Sequence, residues 1–266
     1  MAQDAYTDII EREDDYMVKE INLDKIKDMA ITFLYFDLEE SELGKLFLIH
    51  PVFDTCMQPY MIDGEMQFID ITEDEEGYNK VMEYWQDIFR KCKNAQEVLL
   101  HIRKPYRLVF LKYIKDYLPL DDFSSLFAEI WITSENPNGD INVSIDESAS
   151  YFKMANKECL MDEEELEYYN NLPDTMTVYR GVAKGRVRYG LSWTDDKEVA
   201  LWFAKRFRGS NYVLQGEAKK EDVLAYFNGR NEQELVIHPS NIKNIKLIYK
   251  KEVDGDKIIK EESYDL

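Results

Sequence analysis

The stretch GLSWTDDKEVALWFAKRF, residues 190–207, sets the tightest limit on the fold. Its first residues read as a short strand, and the remainder carries the marks of a helix. Thr194 or Asp195 can cap it, Glu198 places negative charge in the first turn, and Lys205, Arg206 and Arg208 place positive charge at the end, as the helix dipole favours. Val199, Trp202, Phe203 and Phe207 fall on one face and predict its buried side. Short β-like runs surround this helix at 175–179, 190–193, 212–218, 234–237 and 242–250. The predicted class is therefore α+β, with a mostly strand-built second half.

Upstream the texture differs. From about 79 to 131 the pattern is helical, with Val81, Trp85, Ile88, Phe89 and Cys92 on one face. A second helix is expected after Pro105, carrying Leu108, Leu111, Tyr113, Ile114 and Leu118. Segment 41–73 reads equally as strands or as irregular connections. The turn-forming cluster SENPNGD at 134–140 marks a domain boundary, giving a mainly helical region 1–134 of unassigned role and a second domain 135–266. Two short helices are expected near 144–156 and 161–170, the second capped by Asp162 with Glu163, Glu164 and Glu165 as a solvated first turn.

Charge and composition narrow the function classes. With 33 basic against 53 acidic residues the formal charge is −20, which opposes direct binding to nucleic-acid phosphates or anionic lipid and favours basic protein partners. Cys56, Cys92 and Cys159 are too scattered for a disulfide framework, and with His50, His101 and His238 they form no zinc pattern, so no metal is expected. The start MAQDAYTDIIEREDDYM lacks the basic and apolar regions of a signal peptide, and MAITFLYF at 29–36 is too short to span a bilayer. A soluble protein of the cytoplasm is expected, in the host cell if the chain is phage-encoded.

Three short stretches carry polar residues in a telling order. Arg180 follows a β-run in VYRG, Ser192 and Thr194 stand in GLSWT just before the helix, and Glu232 and Glu234 occupy NEQELVI at the mouth of a later strand. This order resembles the mono-ADP-ribosyltransferases of the Arg-Ser-Glu class, which include cholera-toxin-like and C3-like toxins and arginine-specific ectoenzymes. The stretches YRGV, GLSWTDDKEVALWFAKRF and FNGRNEQELVI also look like a group of phage and Gram-positive bacterial proteins. The resemblance covers roughly residues 170–250 and leaves 1–130 unaddressed. It implies a fold of two packed, mostly antiparallel sheets with flanking helices, NAD as substrate, and a target protein as acceptor.

The residue roles come from that resemblance and from the chemistry. Cleaving the nicotinamide–ribose bond builds positive charge on the ribose, as in glycoside hydrolysis, and a fixed carboxylate must face it. The resemblance gives that part to Glu234 and gives Arg180 the NAD phosphates, a task suited to a planar guanidinium. It also implies that Ser192 holds Glu234, that Thr194 supports the strand end or caps the helix, and that Gly181 lies at the cofactor. Glu232 and Glu234, two apart on a strand, would face one cleft, and the resemblance implies that Glu232, where other relatives carry Gln, makes arginine the modified residue. Phe227, or Tyr226 in the neighbouring register, would show an aromatic to the target; Trp193 is expected to pack. Ser192 follows Arg180 by only twelve positions, so the helix that the resemblance leads one to expect in that interval is reduced or supplied by 144–170.

Plainer readings stand beside each role: Arg180 as a strand-end salt bridge, Thr194 as an N-cap, Glu232 as a solvated turn residue, Tyr226 as core. Two other functions fit the sequence. One is an acidic binding or decoy protein that sequesters a basic partner through an inactive transferase-like domain; the other is a pure NAD glycohydrolase.

Overall fold

A computed structural model describes residues 20–62, 64–229, 231–254 and 257–263. The expectation about residues 1–17 lies outside them. The chain divides into two compact units, residues 1–126 and 127–266. Every strand pair among the described residues is antiparallel, so the chain is a mixed α/β protein of several small antiparallel sheets.

The first unit is less helical than its sequence suggests. Helix α1 (Leu23–Leu34) absorbs most of the apolar 29–36 run and buries Ile26, Ala30, Phe33 and Leu34, with Asn22 capping through a bond from the Lys25 amide. Segment 41–73, open between two readings, forms two hairpins. Strands β1 (Glu39–Ser41) and β2 (Gly44–Ile49) make one, β3 (Met57–Ile62) and β4 (Glu65–Asp70) the other. Helix α2 (Glu75–Lys91) is capped by Asp74 and buries Val81, Met82 and Phe89. After α3 (Ala95–Leu100), Pro105 opens a 3₁₀ turn and α4 (Arg107–Ile114) comes next. This helix stops short of Leu118, and Tyr113, expected on the buried stripe, is half exposed. Helix α5 (Leu120–Thr133) contains the division between the two units. No helix among the described residues is long and apolar enough to cross a membrane.

The second unit is built around two sheets. Its helices α6 (Ile145–Met154), α7 (Lys157–Leu160) and α8 (Glu163–Asn170) precede the strands. Phe127 and Trp131, from the last turns of α5, pack edge-on against Tyr151 and Phe152 of α6. Strand β5 (Thr175–Val182) is the edge of a four-stranded sheet, and β6 (Ser192–Trp193) is the edge of a three-stranded one. Helix α9 (Lys197–Lys205) is next, then β7 (Asn211–Lys219), β8 (Val223–Phe227), β9 (Glu234–Ile237), β10 (Lys243–Asp254) and β11 (Lys257–Ser263). The sheets run β11-β10-β7-β5 and β6-β9-β8, and mutual backbone bonds between Tyr179 and Thr194 (2.7 and 2.9 Å) tie their edges together. Residues 183–191, between β5 and β6, contain no helix, so the short interval is simply a loop.

Helix α9 departs from its sequence pattern in two ways. Its cap is Asp196, whose carboxylate accepts the Glu198 and Val199 amides, in place of Thr194 or Asp195. Its buried residues are Ala200 and Ala204, while Trp202 and Phe207, expected inside, are 56% and 40% exposed. The reason is the closeness of the helix to β5. A Cβ on Gly181 would lie 1.9 Å from the Ala200 carbonyl oxygen and 2.8 Å from the Ala204 nitrogen, so backbone meets backbone and only small side chains fit between. Large aromatics are displaced to the flanks of the contact. Gly181→Ala is accordingly expected to destabilise the chain by about 1–3 kcal/mol through overpacking. Gly229→Ala, where a Cβ meets nothing within 4 Å, should leave the denaturation midpoint almost unchanged.

Candidate active site

Sheet register explains how the key side chains meet. Ser192 pairs with Val236 across β6 and β9, which makes Glu234, two residues earlier, its diagonal neighbour on the same sheet face. The Ser192 hydroxyl donates to the Glu234 carboxylate and accepts from Asn138 Nδ2 at 2.7 Å. Trp131 Nε1 donates to Glu234 Oε1 at 3.1 Å. Glu234 is therefore held from two sides, by a hydroxyl and by an indole that is itself 1% exposed.

Arg180 is buried one strand away, and its guanidinium grips the β5–β6 loop. Nε donates to Arg188 O (3.1 Å), Nη1 to Ser192 O (2.5 Å) and Nη2 to Val187 O (2.8 Å). Three of its five N–H groups are thus engaged by backbone carbonyls. Asn138 works on the same loop: its Oδ1 accepts the Leu191 amide at 2.5 Å while its Nδ2 holds Ser192. Gly190 must lack a side chain there, since a Cβ would sit 2.6 Å from both Arg180 Nη2 and Asn138 Oδ1. Arg180 is not the strand-end salt bridge of the plainer reading, and its first task is to set the carbonyl backbone beside Ser192.

Electrostatics are set by this packing. Burial raises the Glu234 pKa above the usual glutamate value, and the Glu232 charge adds to the rise. The Ser192 and Trp131 hydrogen bonds and the Arg180 charge oppose it without cancelling it. Desolvation lowers Arg180 to about 10, and Glu234 works against that shift.

Glu232 reaches the same cleft by a route the sequence did not suggest. It precedes β9, so strand alternation does not place it. Asn231 and Gln233 on either side have φ of +56° and +46°, and this left-handed turn brings Glu232 to the cleft. A positive φ at a non-glycine residue such as Gln233 costs on the order of 1–2 kcal/mol. Asn228 braces the turn, accepting the Gln233 amide on its side chain and the Asn231 amide on its carbonyl. Its own amide donates at 2.7 Å to Glu165 Oε1, whose other oxygen closes the capping box at the start of α8. Glu165, expected in a solvated helix start, is 6% exposed and tethers the Glu232 turn.

Arg180, Gly181, Ser192, Thr194, Glu232 and Glu234 all line one cleft. Thr194 is 4% exposed, and its hydroxyl accepts the Asp196 amide, which positions the α9 cap. Trp193 packs as expected, with Nε1 bonded to Gly190 O. Two expectations fail. Phe227 is 2% exposed and packs near Phe152; Tyr226 is 4% exposed and stacks on Tyr168. Both lie on β8, whose five residues are all buried, so neither can show its ring to a partner. Trp131, Asn138, Arg186, Phe203, Arg206 and Phe207 join the cleft without having been singled out for it. Of these, Asn138 alone carried a signal, as a polar residue in a turn cluster read as a domain boundary. Among the described residues no group of three or more His, Cys, Asp or Glu is placed to hold a metal.

No protein-family model, no curated protein and no solved structure matches the chain.

A carboxylate with a raised pKa opposes folding once it ionises. Its contribution to stability is fully present below the unfolded glutamate pKa and is lost as pH rises through the higher folded value. Glu234→Gln is therefore expected to raise the melting temperature at pH 7, with the advantage vanishing below about pH 4 where both forms are neutral. Melting curves of the two proteins from acid to neutral pH check this.

Proposed function

We propose that the chain is an NAD-dependent mono-ADP-ribosyltransferase that modifies a target protein on arginine, with NAD hydrolysis as a side reaction. The observation that carries this reading is the meeting of Arg180, Ser192, Glu232 and Glu234 in one cleft, with Glu234 fixed by Ser192 and Trp131. A binding or decoy protein would have no use for a half-buried carboxylate whose pKa is pushed up against the stability of the fold.

The surroundings of each residue support the part the resemblance implies for it. Ionised Glu234 faces the ribose, where positive charge grows as the bond to nicotinamide breaks and its electron pair leaves with the ring. Its two fixed donors prevent the carboxylate from turning away, so little reorganisation is needed as charge develops. Glu232, on its left-handed turn beside the cleft, takes a proton from the incoming arginine guanidinium so that a neutral nitrogen can attack the ribose carbon. The positive charge on a target arginine also relieves the repulsion between the two glutamates. Arg180 keeps the loop carbonyls, and through them Ser192, in register. The cleft presents both cationic and anionic groups, as a nucleotide with a charged diphosphate would need.

The two glutamates are expected to separate by mutation. Glu232→Gln should abolish transfer to a protein acceptor while retaining measurable NAD cleavage; Glu234→Gln should lower both on the order of a hundredfold to a thousandfold. Normal transfer by both variants would refute the assignment. Trp131→Phe removes a hydrogen bond that favours the Glu234 carboxylate, so the acid limb of the pH–rate profile for NAD cleavage should move to higher pH. An unmoved limb would show that the indole bond does not tune this group.

A further inference from the structure

The cleft carries a second pair of arginines that the motif order does not include. Arg186, on the β5–β6 loop, and Arg206, at the end of α9, both line it. Their guanidinium carbons lie 5.2 and 5.4 Å from the centre of the Phe207 ring, and Arg206 is also 5.4 Å from the Trp202 ring. In a chain with 53 acidic residues, neither arginine has a carboxylate partner among the described residues. Two guanidinium groups left unpaired beside a cleft repel one another unless an anion stands between them. The aromatic contact leaves the edge N–H groups of each guanidinium available for bidentate bonds to phosphate oxygens. Arg180, by contrast, is buried, with three donors engaged by carbonyls, and is poorly placed to give up those bonds for a ligand.

We infer that Arg186 and Arg206, gathered around Phe207, form the anion-binding end of the cleft and hold the diphosphate of a nucleotide, while Arg180 acts as a brace for the loop. The inference rests on the proposed nucleotide-using function of this cleft and changes which residues anchor the ligand. It also explains the outward placement of Phe207: the tight contact at Gly181 displaces the ring from the α9 interface to where the two arginines meet it.

Calorimetric titration with ADP-ribose and with inorganic pyrophosphate tests it on the full chain, using Arg186→Gln, Arg206→Gln, the double variant and the corresponding Lys variants. Each Gln substitution should weaken ADP-ribose binding roughly tenfold or more, as expected for a charge-assisted bond. The Lys variants should recover part of the loss. The double variant should also show a shallower salt dependence, and its NAD cleavage should show a raised KM with kcat within a few-fold of the parent. ADP-ribose binding unchanged in the double variant would overturn the inference while leaving the transferase reading intact. Pyrophosphate binding as tight as ADP-ribose would overturn the nucleotide assignment. Arginine-dependent ADP-ribose binding by a chain that never cleaves NAD would uphold the anion site and remove the transferase reading. Failure of the parent chain to bind ADP-ribose at all would overturn both.

Discussion

One buried cation organises the second half of this chain. Arg180 has been taken out of water at a cost large enough to lower its pKa to about 10, and it is compensated by backbone carbonyls of Val187, Arg188 and Ser192 together with the nearby charge of Glu234. Burying a guanidinium is tolerable only when its donors are engaged, so the loop between β5 and β6 has little freedom to rearrange. That constraint fixes the carbonyl side of Ser192, the β6–β9 register fixes its hydroxyl, and the hydroxyl fixes Glu234. The site is a consequence of satisfying one buried charge.

A similar sharing of polar groups holds Glu232. A capping box at the start of α8 is a local device, yet its Glu165 uses both carboxylate oxygens, one for its own helix and one for the Asn228 amide. Helix start and acidic turn are thereby one hydrogen-bonded unit, and Asn228 at its root holds the left-handed backbone at Asn231 and Gln233. Strain of this kind persists where surrounding structure over-determines it.

The parts legible in the sequence were those set by local periodicity and short-range order. Strand β9 begins at Glu234 as its apolar run suggests, Asp162 caps α8, and the stretches holding Arg180, Ser192 and Glu234 converge on one cleft. What stayed hidden was tertiary. An apolar stripe cannot say that Trp131 will direct its indole N–H at a carboxylate, because the partner lies a hundred residues away. Helical periodicity across 197–207 favours large aromatics as the buried face. The backbone contact at Gly181 reverses that preference, since it admits only Ala200 and Ala204. Phe227 failed for a related reason: β8, unforeseen as a strand, lies wholly buried beside β9, so its aromatics belong to the core. The net charge of −20 also concealed a local exception, two arginines at the cleft that have no carboxylate partner among the described residues.

If Glu234, Ser192 and Glu232 act together on the nicotinamide–ribose bond, the most direct measurement is of that bond itself. The full chain would be incubated with NAD carrying a label in the adenylate and a small guanidino compound as acceptor, and free nicotinamide and labelled adduct followed together. Nicotinamide release matched, in part, by label covalently attached to the guanidino group is the predicted result. Intact NAD after prolonged incubation, with no adduct formed, would contradict it.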